Sequence, residues 1–166
     1  MIKVENVRLD QSDPLKPPPV GGAFLVSQVG AHAALAFGER LAALDLKPHH
    51  AGILRMLGSN PGLTQQALSE LLGVFPSQLV RFLDSLEERQ LIERRDTPGD
   101  RRSYRLRLTR KGRSVLTRIG ELTQELERDL FAALSATETR VLEELLARVV
   151  AQQRITPGVH PAYKQL

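Results

Sequence analysis

The stretch that most constrains this chain is residues 63–89, where two short helical periods stand on either side of one glycine. Thr64 offers a hydroxyl to cap a helix over Gln65–Leu72, and Gly73 sits just past its last turn, where a residue without Cβ takes left-handed backbone at little cost. The next helix opens at Pro76, a favourable first-turn residue, and runs to about Arg89. Its apolar positions Leu79, Phe82, Leu83 and Leu86 recur at helical spacing and form one stripe destined for a core. Ser77, Gln78, Arg81 and Ser85 take the opposite face.

A strand pair follows this helix pair. After Leu91-Ile92 and Glu93-Arg94-Arg95 comes the turn-forming run Asp96-Thr97-Pro98-Gly99-Asp100, and then Ser103–Leu108 in period-two alternation, which together predict a small β-hairpin. The hairpin is strongly basic. Arg94, Arg95, Arg101, Arg102, Arg105, Arg107, Arg110, Lys111 and Arg113 stand against Asp96 and Asp100, a local excess of seven positive charges that exceeds the net +4 of the whole chain. A helix pair with a glycine turn beside a basic hairpin is the layout of a winged helix-turn-helix. One helix is shaped for a major groove and the wing for the flanking backbone or minor groove, with phosphate neutralisation supplying non-specific affinity.

The flanks are long and helical. A first helix is expected from Gly22 to about Leu46, ended by Lys47-Pro48, and a second from Pro48 to about Leu57, ended by the run Gly58–Gly62. Thr109 caps a long amphipathic helix reaching about Ala133, and Ser135 with Glu138 has the spacing of a capping box that opens a last helix to about Val150. Residues 1–20 begin with alternating apolar positions and end in Pro14, Pro17, Pro18 and Pro19, so an extended arm is expected there. The tail after Gln152, with Pro157, Gly158 and Pro161, is not expected to be regular. The expected organisation is an arm over 1–20, one domain over 21–151 and a tail over 152–166. Within that domain the winged helix-turn-helix occupies about 48–109, flanked by helices over about 22–46 and 110–151. The fold class is mainly α, or α+β, with a two- or three-stranded wing.

Composition narrows the function. Aromatic residues are 4% of the chain and tryptophan is absent, so the core must come from Leu, Val, Ile and Ala. Cysteine is absent, which excludes disulfides, thiolate metal sites and thiol-based sensing. No stretch approaches the roughly 18 apolar residues of a membrane span and no secretory leader is evident, so no membrane partner and a cytoplasmic location are expected. Adjacent His49 and His50 point in different directions on a helix, and neither with His32 do they meet a carboxylate set that completes a site, so no metal and no cofactor are expected. A nucleophile elbow, a P-loop, a GxGxxG turn and a His-Glu-x-x-His helix are all missing, and no enzyme is expected.

Several segments together carry a family resemblance: Leu63–Val74, Arg81–Glu87, Leu91-Ile92-Glu93-Arg94, Asp100-Arg101-Arg102, and Leu106-Arg107-Leu108-Thr109 continuing to Gly112. This combination resembles the MarR family over about Phe24 to Val150. The resemblance implies a triangular homodimer whose first and last helices interleave, with recognition helices in successive major grooves and wing tips in minor grooves. It implies a cytoplasmic, ligand-responsive repressor that binds a pseudo-palindromic operator in double-stranded DNA. DNA contacts then fall on Thr64, Gln65, Ser77, Gln78, Arg81, Arg101, Arg102 and Arg105, with Arg102 entering the minor groove and Asp100 orienting it. An effector pocket between the first, second and fifth helices would bring His32, His50 and Arg55 to a small anionic or phenolic ligand. In two places the chain departs from the family. Phe75 stands where a small polar cap is common, leaving it either to pack inward or to meet a thymine methyl. Gln90 stands where glycine is usual, and it must take positive φ if the turn is kept. The alternative reading is a winged-helix adaptor that holds a protein partner and binds DNA weakly or not at all.

Overall fold

The computed structural model describes residues 19–97, 100–156 and 158–160, with the side chains of Thr97 and residues 100–103 outside that description. The expected arm over residues 1–20 therefore lies almost wholly outside the described residues, as does the hairpin tip Pro98-Gly99. Among the described residues, six helices and one strand pair follow in the order α1 (Gly22–Ala42), α2 (Pro48–Ser59), α3 (Gln65–Leu72), α4 (Pro76–Glu88), β1 (Ile92–Thr97), β2 (Asp100–Leu108), α5 (Arg110–Leu130) and α6 (Ala136–Gln152).

A leucine-dominated core lies where α2, α3, α4, the hairpin and the first half of α5 converge. Leu41, Ile53, Leu54, Leu57, Leu68, Leu72, Leu79, Leu83, Leu86, Leu91, Leu106 and Ile119 are all essentially inaccessible to solvent. Phe82, expected in that stripe, is only partly buried and packs against the edge of the core. Val159 of the tail also reaches this core, and Gly158 before it takes φ +72 with its backbone close to the Met56 side chain.

Local chemistry explains most of the element ends. The Thr64 hydroxyl accepts the Ala67 N–H at 3.1 Å and opens α3, and Gly73 at φ 66 closes it by donating to Ser69 and Glu70 carbonyls. The buried Ser69 hydroxyl donates to the Val74 carbonyl at 2.7 Å, so the turn between α3 and α4 is braced from inside. Gln90 takes φ 59, and the Leu91 N–H reaches the Leu86 carbonyl at 2.9 Å to complete the turn after α4. Ser135 and Glu138 form the expected capping box, and the Ser135 hydroxyl and N–H hold the Glu138 carboxyl below its usual range.

One end differs for a tertiary reason. Helix α1 stops at Ala42 rather than near Leu46, because Asp45 takes φ 51 and the Arg89 guanidinium, arriving from the end of α4, donates to the carbonyls of Leu44 (2.8 Å) and Asp45 (2.5 Å). Across the left-handed Asp45 the Leu46 N–H returns to the Leu41 carbonyl at 3.1 Å, which closes the helix, and the guanidinium holds that turn in place.

The Leu-Thr-x-x-Gly sequence at the start of α5 has a mechanical meaning. The Thr109 hydroxyl accepts the Gly112 N–H at 2.9 Å and donates to the Gln90 carbonyl at 2.6 Å, tying the helix start to the turn after α4. A Cβ at Gly112 would stand 1.9 Å from the Leu91 carbonyl oxygen, so only glycine lets α5 approach that backbone.

The flanking helices behave differently. Leu41 is the buried residue of α1, whereas Phe24, Leu25, Val26, Val29 and Leu35 are exposed. Among the described residues none of α6 is buried, and Val141, Leu145, Leu146 and Val149 face solvent. An ion pair of Arg40 with Asp129 at 2.5 Å links α1 to α5. Among the described residues, no helix is long and apolar enough to cross a membrane.

Candidate nucleic-acid interface

The hairpin register decides which arginines are available. Strands β1 and β2 pair antiparallel with Ile92 opposite Leu108, Arg94 opposite Leu106 and Arg95 opposite Arg105. Because side chains alternate faces, the buried Ile92, Leu106 and Leu108 put Arg94 on the inner face, and Glu93, Arg95, Arg105 and Arg107 on the outer face. Arg94 is accordingly spent inside the fold. Its guanidinium, 17% exposed, bridges Asp84 at 2.7 Å and Glu87 of α4, and its N–H donates to Glu87 at 3.2 Å. It pins the wing to α4 and does not add to the outward positive charge. Alternation from Ile92 was the sequence signal that would have revealed this.

On the outer face Arg95 and Arg105 stand directly opposite each other, an arrangement of like charges that costs stability unless an anion lies nearby. Arg95 has partial relief from Glu93 at 2.8 Å. Arg105 is exposed, and its backbone bridges to Thr64, while the Gly62 N–H donates to the Leu106 carbonyl at 3.2 Å and the Leu106 N–H to the Leu63 carbonyl at 2.9 Å. The wing is thus two strands with a short third edge supplied by the segment before α3. That edge brings Thr64 and Arg105 side by side. Gln65 is half-buried at the start of α3. The backbone of Asp100, Arg101 and Arg102 belongs to β2, and their side chains lie outside the described residues.

On α4 the division of faces is clean. Leu79, Leu83 and Leu86 are fully buried, Ser77 and Arg81 are exposed, and Gln78 is half-exposed. The helix is held at its far end by Arg89 on the α1–α2 turn, by Lys111, whose ammonium donates to the Arg89 carbonyl at 3.0 Å, and by Arg94. Its first residues therefore project from a braced support. Phe75, at the N-cap, does not pack inward: it is 78% exposed.

A cavity of about 550 Å³ opens between the α1–α2 turn and α4, lined among others by Lys47, His49, His50, Arg81, Phe82 and Arg89. The His49 ring stacks on Phe82 with centroids 4.1 Å apart, and His50 meets His49 edge-on at 4.3 Å. His50 is buried, and its Nδ1 accepts the Lys47 N–H at 3.3 Å, which requires that nitrogen to be unprotonated. Burial first, then the positive surroundings of His49, Arg89 and Lys47, push the His50 pKa down to about 4 against a weaker pull from Asp45. Burial and Lys47 also lower that of His49. The expected trio is not assembled here. His50 lines the cavity, whereas His32 and Arg55 are exposed and are not in its wall.

A helix pair braced through Gly73 and Ser69, followed by a hairpin pinned to its second helix, makes this a winged helix-turn-helix protein. The MarR family model matches residues 44–103. A curated relative from Thauera aromatica, described as a transcriptional regulatory protein for the hcr operon, is 39% identical over 107 residues, 64% of this chain and 64% of that protein. The chain thus spans just under two thirds of that relative's length. The wild-type MarR of E. coli in its apo form superposes with a TM-score of 0.72 at 27% identity, covering 81% of this chain and 99% of that one. A mutant MarR of E. coli complexed with operator DNA superposes at 0.65 with 28% identity, covering 77% and 92%. The chain is thus similar to MarR-family proteins in sequence over its winged lobe and in fold over about four fifths of its length.

Proposed function

We propose that this chain acts as a homodimer that binds duplex DNA sequence-specifically and regulates transcription, as a repressor that occludes a promoter. The observation that carries the reading is the split of α4 into a sealed apolar face and an open face of Ser77, Gln78 and Arg81, beside a hairpin whose outward register carries Arg95, Arg105 and Arg107. Amide and guanidinium groups on an exposed helix suit base edges in a major groove, and the hairpin arginines suit phosphates. Thr64, Gln65, Ser77, Gln78, Arg81, Arg101, Arg102 and Arg105 form the proposed contact set, with Asp100 orienting Arg102.

The dimer follows from the flanks. Phe24, Leu25 and Val29 on α1 and Val141, Leu145 and Val149 on α6 are apolar and exposed, and apolar surface repeated along two long helices is what a second copy of the chain would cover. A two-fold pair would set its α4 helices about 34 Å apart, or a multiple, matching a pseudo-palindrome. The operator-bound MarR of E. coli supports this by likeness. The regulatory unit is proposed to be residues 21–151, with the arm 1–20 and the tail 152–166 appended.

The cavity beside α4 is where a small anionic or phenolic effector would lodge. Lys47, Arg81 and Arg89 offer positive charge, and His49 with Phe82 offers flat ring surface. Arg81 belongs to both the cavity wall and the open face of α4, so such a ligand and DNA would compete for one side chain.

The test is a salt series of anisotropy titrations on labelled duplexes. Affinity is expected to fall by orders of magnitude between roughly 50 and 200 mM salt, with a shallower slope for Arg102→Ala and an altered sequence ranking for Gln78→Ala. A salt slope near zero on every duplex tried would refute the proposal.

A further inference from the structure

Fourteen large apolar side chains are exposed among the described residues, and all but Phe75 and Tyr104 belong to α1, α6 or the segments bordering them. The dimer surface accounts for those on the flanks. It does not account for Phe75, which at 78% is the most exposed of the set, ahead of Leu35 at 71%. Phe75 also occupies the N-cap of α4 without giving it a side-chain cap hydrogen bond, a position where Ser, Thr, Asp or Asn would satisfy an unpaired amide. The chain thus forgoes a cap and holds a bare ring in water at the leading end of the helix that carries Ser77, Gln78 and Arg81. Nothing in the core uses that ring.

A phenyl ring has no donor for phosphate, and the leading residues of such a helix meet base edges in the major groove. The apolar group displayed there is the thymine 5-methyl. We infer that Phe75 is a specificity-determining residue whose ring covers the methyl of one thymine in each half-site. The inference rests on the DNA-binding reading above and adds which base feature the first residue of the helix selects.

Deoxyuridine differs from thymidine only by that methyl, so the test replaces each thymine of a duplex selected by the wild-type protein from a random pool, one symmetry-related pair at a time. Wild-type affinity is expected to fall about fourfold per half-site at one thymine position and little elsewhere, the value of burying one methyl group. Phe75→Ala should lose affinity for the thymine duplex and become indifferent to the replacement, while Phe75→Leu, which keeps an apolar side chain, should still discriminate. Unchanged thermal unfolding of both variants would show that the exposed ring was not supporting the fold. Selected half-sites without a thymine, a wild-type protein indifferent to every replacement, or a Phe75→Ala protein as discriminating as wild type would overturn the inference and leave DNA binding intact. Absence of any salt-dependent duplex binding would overturn both together.

Discussion

Helices α4 and α6 both carry an apolar stripe at helical spacing, and the fold treats them in opposite ways. In α4, Leu79, Leu83 and Leu86 are sealed against α2, α3 and the hairpin. In α6, Val141, Leu145, Leu146 and Val149 stay open to solvent, and the same is true of the first half of α1. The stripe of α4 has neighbours close in sequence that return to cover it, whereas the stripes of α1 and α6 extend beyond the reach of the winged lobe. Hydrophobic patterning specifies that a face must be covered and is silent on whether the same chain or a second one covers it.

Charging the open stripe is the strongest way to break this contrast. Leu145→Asp combined with Val149→Asp is expected to convert the proposed dimer to monomer in sedimentation. Affinity for a two-half-site duplex should fall on the order of 10²–10⁴-fold as the linked second contact is lost. A dimer that survives both charges would mean that α6 is not its interface.

A second pair of substitutions probes the two regions on one helix. Gly112→Ala drives a Cβ into the Leu91 carbonyl where α5 abuts the winged lobe, and should cost about 1–3 kcal/mol in chemical denaturation. Gly120→Ala, two turns on, meets nothing within 4 Å and should stabilise α5 by roughly 0.5–1 kcal/mol. Equal effects of the two would dissolve the distinction between the locked start of α5 and its open face at Gly120.

Acid should act on the winged lobe through His50. Its folded pKa of about 4 lies below the ordinary 6.5, so between those values the unfolded chain binds the extra proton and stability falls as pH falls. Thermal unfolding followed from pH 7 to pH 4 is expected to show this loss, with a smaller slope in His50→Gln. An identical slope in that variant would show that other groups dominate. The smallest effect is expected at Gln90, where Gln90→Gly relieves a side chain held at φ 59 and should add roughly 0.5 kcal/mol, measured by denaturant midpoint.

Much of the fold was legible because its signals are local. Thr64 and Gly73 bounded α3, and Ser135 with Glu138 bounded the start of α6, since caps satisfy amides only a few residues away. Gln90 took the positive φ that the family's turn demands. The interface was partly legible: Ser77 and Arg81 lie on the open face as spacing implied, but summing charge over residues 94–113 counted Arg94 as outward when it points at Asp84 and Glu87. Net charge along a segment carries no direction.

The order and type of the elements, the glycine turn between α3 and α4, and the basic character of the hairpin came from the amino-acid order alone, because each depends on contacts within a turn or a strand pair. Two things needed the packed molecule: His50 meeting Phe82 and Arg89 rather than His32 and Arg55, and Phe75 standing free at the tip of α4. Each depends on which face of one element meets another far along the chain, and that is settled only when the shared core closes.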